Sequence, residues 1–397
     1  MAIREGYKQT EVGLIPKDWD VRNLGDVVYF WDGQRKPLKS SDRARMRGEY
    51  PYYGASGIID YVDNYIFDDD LILLGEDGEN ILSRNCRLAF QISGRTWVNN
   101  HAHVLKPKDG YNIIYLTEYL ESINYDVFNT GTAQPKLNKR TCYSIPIISP
   151  SLAEQIAIAN ALSDVDALIQ SLEKLIAKKR LIKQGAMQEL LKPKAGWVTR
   201  RLGEIGEISG SGVDKKSNPN EIPVRLLNYL DVFHRDFIYS NELNHYVTAP
   251  LSKAKRCAIK KGDIFFTPSS EMRFDIAISA VAMEDIPDAT YSYHLDRLRL
   301  FENWNLAFRT YIFKTKYFLD QAEKICEGSG KRYVISLSKF RNMVVCYPPD
   351  ISEQAHIANI LSDMDSEIKT LKKKAAKYRF IKQGMMQELL TGRTRLI

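Results

Sequence analysis

The sequence predicts an α+β protein. Two globular, mixed α/β segments alternate with two long helices, and the helices form an antiparallel coiled coil on a pseudo-two-fold plan. Three observations carry this. A stretch of about 40 residues, LAEQIAIANALSDVDALIQSLEKLIAKKRLIKQGAMQELL from Leu152, recurs without a gap from Ile351, with about 24 identical positions. Both copies space their apolar residues 3, 4, 3, 4, the mark of a helix that buries one seam. The segment before each copy instead mixes short apolar runs with turn signals.

The repeats are read as helices from their starts. Ser151 with Glu154, and Asp350 with Glu353, have capping-box spacing directly after Pro150 and after Pro348-Pro349. The first seam is Leu162, Val165, Ile169, Leu172 and Ile176; the second is Leu361, Met364, Ile368, Leu371, Ala375 and Tyr378. Lys174, Lys178, Arg180, Lys373 and Lys377 occupy the other faces. Gly185 and Gly384 sit at the same place in each copy, where a bend or break is expected. A helix of about 40 residues is on the order of 60 Å long. Each seam has one partner of its own kind, so the two helices are expected to pack on each other; docking of each on its own globular neighbour is the alternative.

The domain plan follows as 1–149 globular, 150–192 helical, 193–349 globular and 350–397 helical, a reasonable division for 397 residues. The composition, 44% hydrophobic, supplies ample core. No apolar run reaches membrane-spanning length, and the opening MAIREGYKQTEVG has no signal-peptide pattern. Cys86, Cys142, Cys257, Cys326 and Cys346 are odd in number and form no C-x-x-C pair, as expected of free thiols in a cytoplasmic protein. The net charge of +7 permits a polyanionic partner without demanding one.

Within the globular segments, Trp19–Val27 resembles Trp197–Ile205, and both read as leading strands. Gly131-Thr-Ala-Gln-Pro-Lys-Leu137 stands where the second segment has Gly328-Ser-Gly-Lys-Arg-Tyr-Val334. Further strands are predicted at Asp70–Leu74, Arg87–Ile92, Ala102–Leu105, Ile222–Leu227, Asp263–Phe266 and Ala277–Ala282, and helices at Ile114–Ile123 and Leu306–Ile325. Turn signals lie at Gly54-Ala-Ser-Gly57, Gly75-Glu-Asp-Gly78 and Ser209-Gly-Ser-Gly212. Pro193–Gly196 and the tail from Thr391 are the expected flexible points.

Motifs for catalysis are missing: there is no phosphate-binding Walker loop and no dinucleotide fingerprint. Asn218-Pro-Asn-Glu221 has some likeness to the Asn-Pro-Pro-aromatic motif of amino-methyltransferases but lacks its second proline and aromatic, so a surface turn is the better reading. His101 and His103 stand two apart, as a metal pair on one strand face would, yet no acidic or cysteine ligand cluster accompanies them. Asp68–Asp70 and Glu76–Glu79 have the chemistry to hold Mg²⁺, but solvated loop carboxylates are the simpler reading.

Nucleic-acid chemistry is better represented. Arg35 and Lys36, then Arg43 and Arg45, precede Tyr50, Tyr52 and Tyr53, and Gln134 and Lys136 follow in the Gly131 motif. The second segment offers Lys215, Lys216, Arg225 and Arg273, then Lys331 and Arg332 after a Gly-Ser-Gly turn. Guanidinium and ammonium groups pair with phosphates or guanine edges, and small residues before them let the backbone approach.

The whole pattern resembles the specificity subunit of type I restriction–modification systems. The likeness is carried by Tyr7–Pro16 with Trp19, Tyr52-Tyr-Gly-Ala-Ser-Gly57, Gly131-Thr-Ala-Gln-Pro, Glu154-Gln155, Glu353-Gln354 and the Lys-Gln-Gly-x-Met-Gln-Glu-Leu-Leu runs from Lys183 and Lys382. The resemblance implies two target-recognition domains, each reading half of a split double-stranded DNA site. It makes the helices a spacer and a dock for two modification subunits. The modification subunits would bring S-adenosylmethionine, and restriction subunits ATP and Mg²⁺; this chain would hold no cofactor or metal and perform no catalysis. The alternatives are the specificity chain of a type IIB-like system, a catalytic DNA enzyme, and a coiled-coil scaffold. Proximity of the Tyr7–Pro16 stretch to the second repeat helix would bring the chain termini together.

Overall fold

The computed structural model describes residues 5–131, 133–210 and 212–396; Met1–Arg4 of the opening, Thr132 of the Gly131 motif, Ser211 of the Ser209–Gly212 turn and Ile397 lie outside them. The chain forms two compact units whose borders fall inside the repeat helices. The first runs to Glu173 and resumes at Lys373; the second is Lys174–Lys372.

Each unit is built on the same pair of sheets. In the first, strands Val28–Phe30, Ala102–Pro107, Leu71–Gly75 and Ala89–Ile92 form one sheet in that order, and Gly57–Val62, Arg47–Gly54, Arg95–Val98 and Phe67–Asp68 form the other. In the second unit the corresponding orders are Gly206–Ser209, Asp296–Leu300, Ile264–Phe266, Ser279–Ala282, with Phe237–Ile238 added, and Tyr246–Ala249, Ile222–Leu227, Ile286–Tyr291, Ala258–Ile259. The registers also agree: Leu105 faces both Phe30 and Ile72, and Leu298 faces both Ile208 and Ile264. The central strand Leu71–Gly75 is buried along its length, as a continuous apolar run between covered faces should be.

The two edge motifs close each unit in the same way. Asp20–Asn23 pairs antiparallel with Pro146–Ser149, and Val198–Arg201 with Val344–Tyr347. Leu137 donates its backbone N–H to the Glu76 carbonyl at 2.8 Å, and Ile335 donates to the Pro268 carbonyl at 2.8 Å. Leu137 therefore corresponds to Ile335, one residue beyond the match suggested by the glycines.

The repeat helices run unbroken over Leu152–Leu190 and Ile351–Leu389, so the expected break at Gly185 and Gly384 does not occur. A glycine in a helix interior is only weakly destabilising, and neither position is crowded. Every seam residue named above is buried or half-buried. Within each unit the helical pieces are antiparallel. In the first, Lys382 bonds Asp166 at 2.7 Å while Arg379 pairs with Glu173; in the second, Lys183 bonds Asp365 at 2.5 Å and Lys179 pairs with Glu367 at 2.7 Å.

Docking on the globular neighbours holds as well. Ile158, Ala159, Leu162, Leu389 and Leu390 belong to the first unit's core, and Leu191, Ile357, Ala358 and Leu361 to the second's.

The capping boxes form only by half: Ser151 Oγ accepts the Glu154 N–H at 3.3 Å and Asp350 accepts the Ser352 N–H at 2.9 Å, but neither glutamate reaches back. Glu154 instead accepts the Trp19 indole N–H at 2.9 Å, and Glu353 that of Trp197 at 3.1 Å. Trp19 is fully buried, and a buried indole N–H without a partner costs about 1–3 kcal/mol, which the glutamate carboxylate averts. The neighbouring glutamines tie the helix starts to the globules: Gln155 accepts from the Asn112 N–H at 2.9 Å, and Gln354 from the Asn305 N–H at 2.8 Å.

The predicted helix Leu306–Ile325 is two helices, Phe308–Ile312 and Lys316–Ile325. Phe313 ends the first, and Thr315 caps the second, its hydroxyl accepting the Phe318 N–H. Pro193–Gly196 is an ordered turn, with Trp197 donating to the Lys194 carbonyl at 3.1 Å. The tail is pinned too. Tyr7 Oη donates to the Gly392 carbonyl at 2.8 Å, and Arg395 pairs with Asp18 at 3.0 Å and with Glu154 at 2.5 Å. The opening hairpin Tyr7–Thr10 and Gly13–Pro16 thus lies against the segment after the second repeat helix.

Candidate nucleic-acid interface

In the first unit the Gly131 motif is a loop clamped at its base by a chain of charges. His103, 1% exposed, lies 2.8 Å from Asp32 through Nδ1 and 2.8 Å from the Leu137 carbonyl through Nε2. Burial pulls its pKa down, but the hydrogen bond to Asp32, the neighbouring Cys142 and the Asp32 charge outweigh it and push it up to about 10. Burial likewise works against Asp32 ionising, yet the bond from His103, the Val104 N–H and Arg35 hold its carboxyl below the ordinary value. Arg35 then reaches Glu76 at 2.6 Å, and Lys136 approaches the same carboxylate at 3.4 Å.

This chain settles the two histidines and the loop carboxylates. His103 points into the core and His101 pairs with Asp77 at 2.9 Å, so they do not share a site. Asp68 and Asp69 pair with Arg95 and Lys106. Among the described residues no group of three or more His, Cys, Asp or Glu is placed to hold a metal ion.

The candidate cations differ in availability. Arg35 is 14% exposed and spent on Asp32, Glu76 and the Ala102 carbonyl. Arg43 bonds Asp60 at 3.0 Å and the Leu38 carbonyl at 2.8 Å, over the Tyr52 ring. Arg225 makes a bidentate pair with Asp288 and bonds Ser240. These three support the local fold. Lys36, Arg45, Gln134, Lys136, Lys215, Lys216, Arg273, Lys331 and Arg332 are exposed.

A cavity of about 680 Å³ in the second unit brings Lys215, Lys331 and Arg332 together with Tyr229, Phe233 and His294. Arg332 is steadied by donating to Ser269 Oγ at 2.9 Å, and Arg273 lies over the Tyr333 ring. Lys216 and Arg225 are not among the lining residues. In the first unit a cavity of about 360 Å³ lies between the Gly54–Ile59 turn and Asp77, Asn99 and His101, and the backbones of Asp77 and Lys136 pair as an isolated antiparallel β-bridge.

Sequence reasoning passed over two features here. Ile58, Ile59 and Tyr61 in the first unit, and Leu230, Met272, Phe274 and Tyr293 in the second, are exposed. His294 packs on Tyr293, and burial together with Lys215 and Arg332 lowers its pKa. The apolar run Gly57-Ile-Ile reads as an ordinary strand, and only the pairing geometry shows which side faces outward.

The comparisons agree with this geometry. The sequence profile of the type I restriction modification DNA specificity domain matches residues 16–179 and again 194–377. The MjaVIII type I restriction enzyme specificity subunit of Methanocaldococcus jannaschii is 24% identical over 99% of this chain and 96% of its own. A putative type I specificity subunit of Haemophilus influenzae, S.HindORF215P, is 37% identical over 36% of this chain and 37% of its own length. The crystal structure of the type I S subunit from M. genitalium has the same fold, with a TM-score of 0.56 at 15% identity over 98% of each chain. With the domain present twice over most of its length, the chain belongs to the type I restriction–modification DNA specificity family and is a DNA sequence-specificity subunit.

Proposed function

We propose that each unit reads one half of a bipartite double-stranded DNA target, through recognition domains at 1–149 and 193–349. The helical regions 150–192 and 350–397 set the separation of the half-sites and dock two modification subunits. The observation that carries the reading is one strand frame used twice with unlike residues over its clefts. A shared frame repeats the mode of approach, while different side chains read different bases.

Docking is supported by a second repetition. Leu181 and Phe380, at the same place in the two copies, are 69% and 74% exposed, and each is followed by an exposed isoleucine, Ile182 or Ile381. Large apolar side chains bared at matching positions suit two copies of one partner. The adenine-methylation chemistry, with its S-adenosylmethionine, belongs to the modification subunits, and ATP- and Mg²⁺-dependent cleavage to restriction subunits. This chain contributes targeting.

The test is adenine-methylation mapping in cells that express this chain with its cognate modification subunit. A split motif with a fixed gap is the expected result. A continuous motif would eliminate the two-reader arrangement, and a stable complex without salt-sensitive DNA binding would favour a scaffold.

A further inference from the structure

We propose that His101 and His294 are equivalent base-reading residues, one in each recognition cleft, and that Asp77 is the positioning residue for His101. This deepens the two-reader function proposed above and rests on it.

The equivalence follows from backbone geometry. In the first unit Tyr53 pairs with Val98 in parallel strands, the Asn99 N–H donates to the Tyr53 carbonyl at 3.1 Å, and the His101 N–H donates to Asn99 Oδ1 at 2.8 Å. In the second unit Leu227 pairs with Tyr291, the Ser292 N–H donates to the Leu227 carbonyl at 2.9 Å, and the His294 N–H donates to Ser292 Oγ at 3.3 Å. Each chain then enters the central strand that carries Leu105 or Leu298, in matching register with its two neighbours. The same turn therefore presents a histidine at the same place in two units whose cleft residues otherwise differ.

Both rings line the clefts. His101 has half of its side chain exposed and shares its cavity with the Gly54–Ile59 turn; His294 shares its own with Lys215, Lys331 and Arg332. Neither is used in the core, in contrast to His103.

The chemistry fits a base edge better than a phosphate. Asp77 holds both carboxylate oxygens 2.9 Å from His101 Nδ1, which orients the ring and leaves Nε2 outside that contact. Burial, with Lys215 and Arg332 beside it, favours the neutral form of His294, and those two cations supply the positive charge that a phosphate would take. In the tautomer with its proton on Nδ1, an imidazole accepts through Nε2 from the exocyclic amine of adenine or cytosine in the major groove.

The experiment maps the methylated motif and its preference at each position for the full complex carrying the wild-type chain, His101→Ala, His101→Gln, His294→Ala, His294→Gln or Asp77→Asn. His101→Ala is expected to relax one position of one half-site by about tenfold, with the other half-site and the gap unchanged. His294→Ala should do the same in the other half-site, and Asp77→Asn should relax the His101 position only. The glutamine variants, which keep an acceptor, should restore part of the preference, and the unaltered half-site in each alanine chain reports that it folds. An unchanged motif, or uniform weakening at every position, overturns the inference while a split wild-type motif leaves the two-reader function standing. A wild-type complex with no split motif removes both.

Discussion

Arg35, Arg43 and Arg225 are indistinguishable from free cations in a linear sequence, yet each is consumed by a carboxylate that lies 17 to 63 residues away. Their partners Glu76, Asp60 and Asp288 carry no local signal, so this part of the interface was not legible. Only position in the fold separates a structural arginine from a reading one. His103 shows the same limit: its spacing from His101 suggests a shared ligand face, and the fold gives it a buried charge pair with Asp32 instead. Because its folded pKa is raised to about 10 from an ordinary 6.5, protonated His103 adds stability that is fully present below about pH 6.5. That contribution is lost as pH rises through about 10. His103→Gln takes from Asp32 its hydrogen-bonded cation and leaves only Arg35, 3.7 Å away, so it is expected to cost about 1.5–3 kcal/mol near pH 6. In chemical denaturation at several pH values, the gap between variant and wild type should shrink between pH 6.5 and 10. A gap that widened over this range would remove the charged pair from the account.

The repeat helices were the most legible elements, because a seam with a 3.5-residue period and proline-bounded starts leaves little alternative. What stayed hidden was what the helix starts do. Glu154 and Glu353 stand at capping spacing, but each carboxylate satisfies an indole brought in from the leading strand. The same blindness split Leu306–Ile325, where apolar periodicity continues across Thr315 while the backbone turns on its hydroxyl. The exposed pairs Leu181-Ile182 and Phe380-Ile381 lie off the seam and outside both cores, so polar substitutions there remove no packing within a unit. The double variant Leu181→Ser with Phe380→Ser is expected to weaken binding of modification subunits by roughly five- to 150-fold, on the order of 1–3 kcal/mol for two large apolar contacts, with the melting temperature unchanged. Equal affinity in a calorimetric titration would place the dock elsewhere.

On the scale of the whole chain, each repeat helix gives residues to both units, as the proposed ruler requires. Inserting one heptad near the middle of both helices keeps the seam in phase and adds about 10 Å of helix. Methylation mapping of that variant should return the same two half-sites with the gap lengthened by up to about three base pairs. An unchanged gap would show that the spacing is set by something other than the helices. The general plan of alternating globules and helices was legible from one repeat, whereas the borders of the compact units were not, since they follow contacts and not sequence likeness. Those borders also bear on biosynthesis. The second unit has all its residues once Lys372 has been added, but the first waits for Leu389 and Leu390 to fill its core and for Arg395 to reach Asp18 and Glu154. On the ribosome, the half that is translated first is therefore the half that finishes folding last.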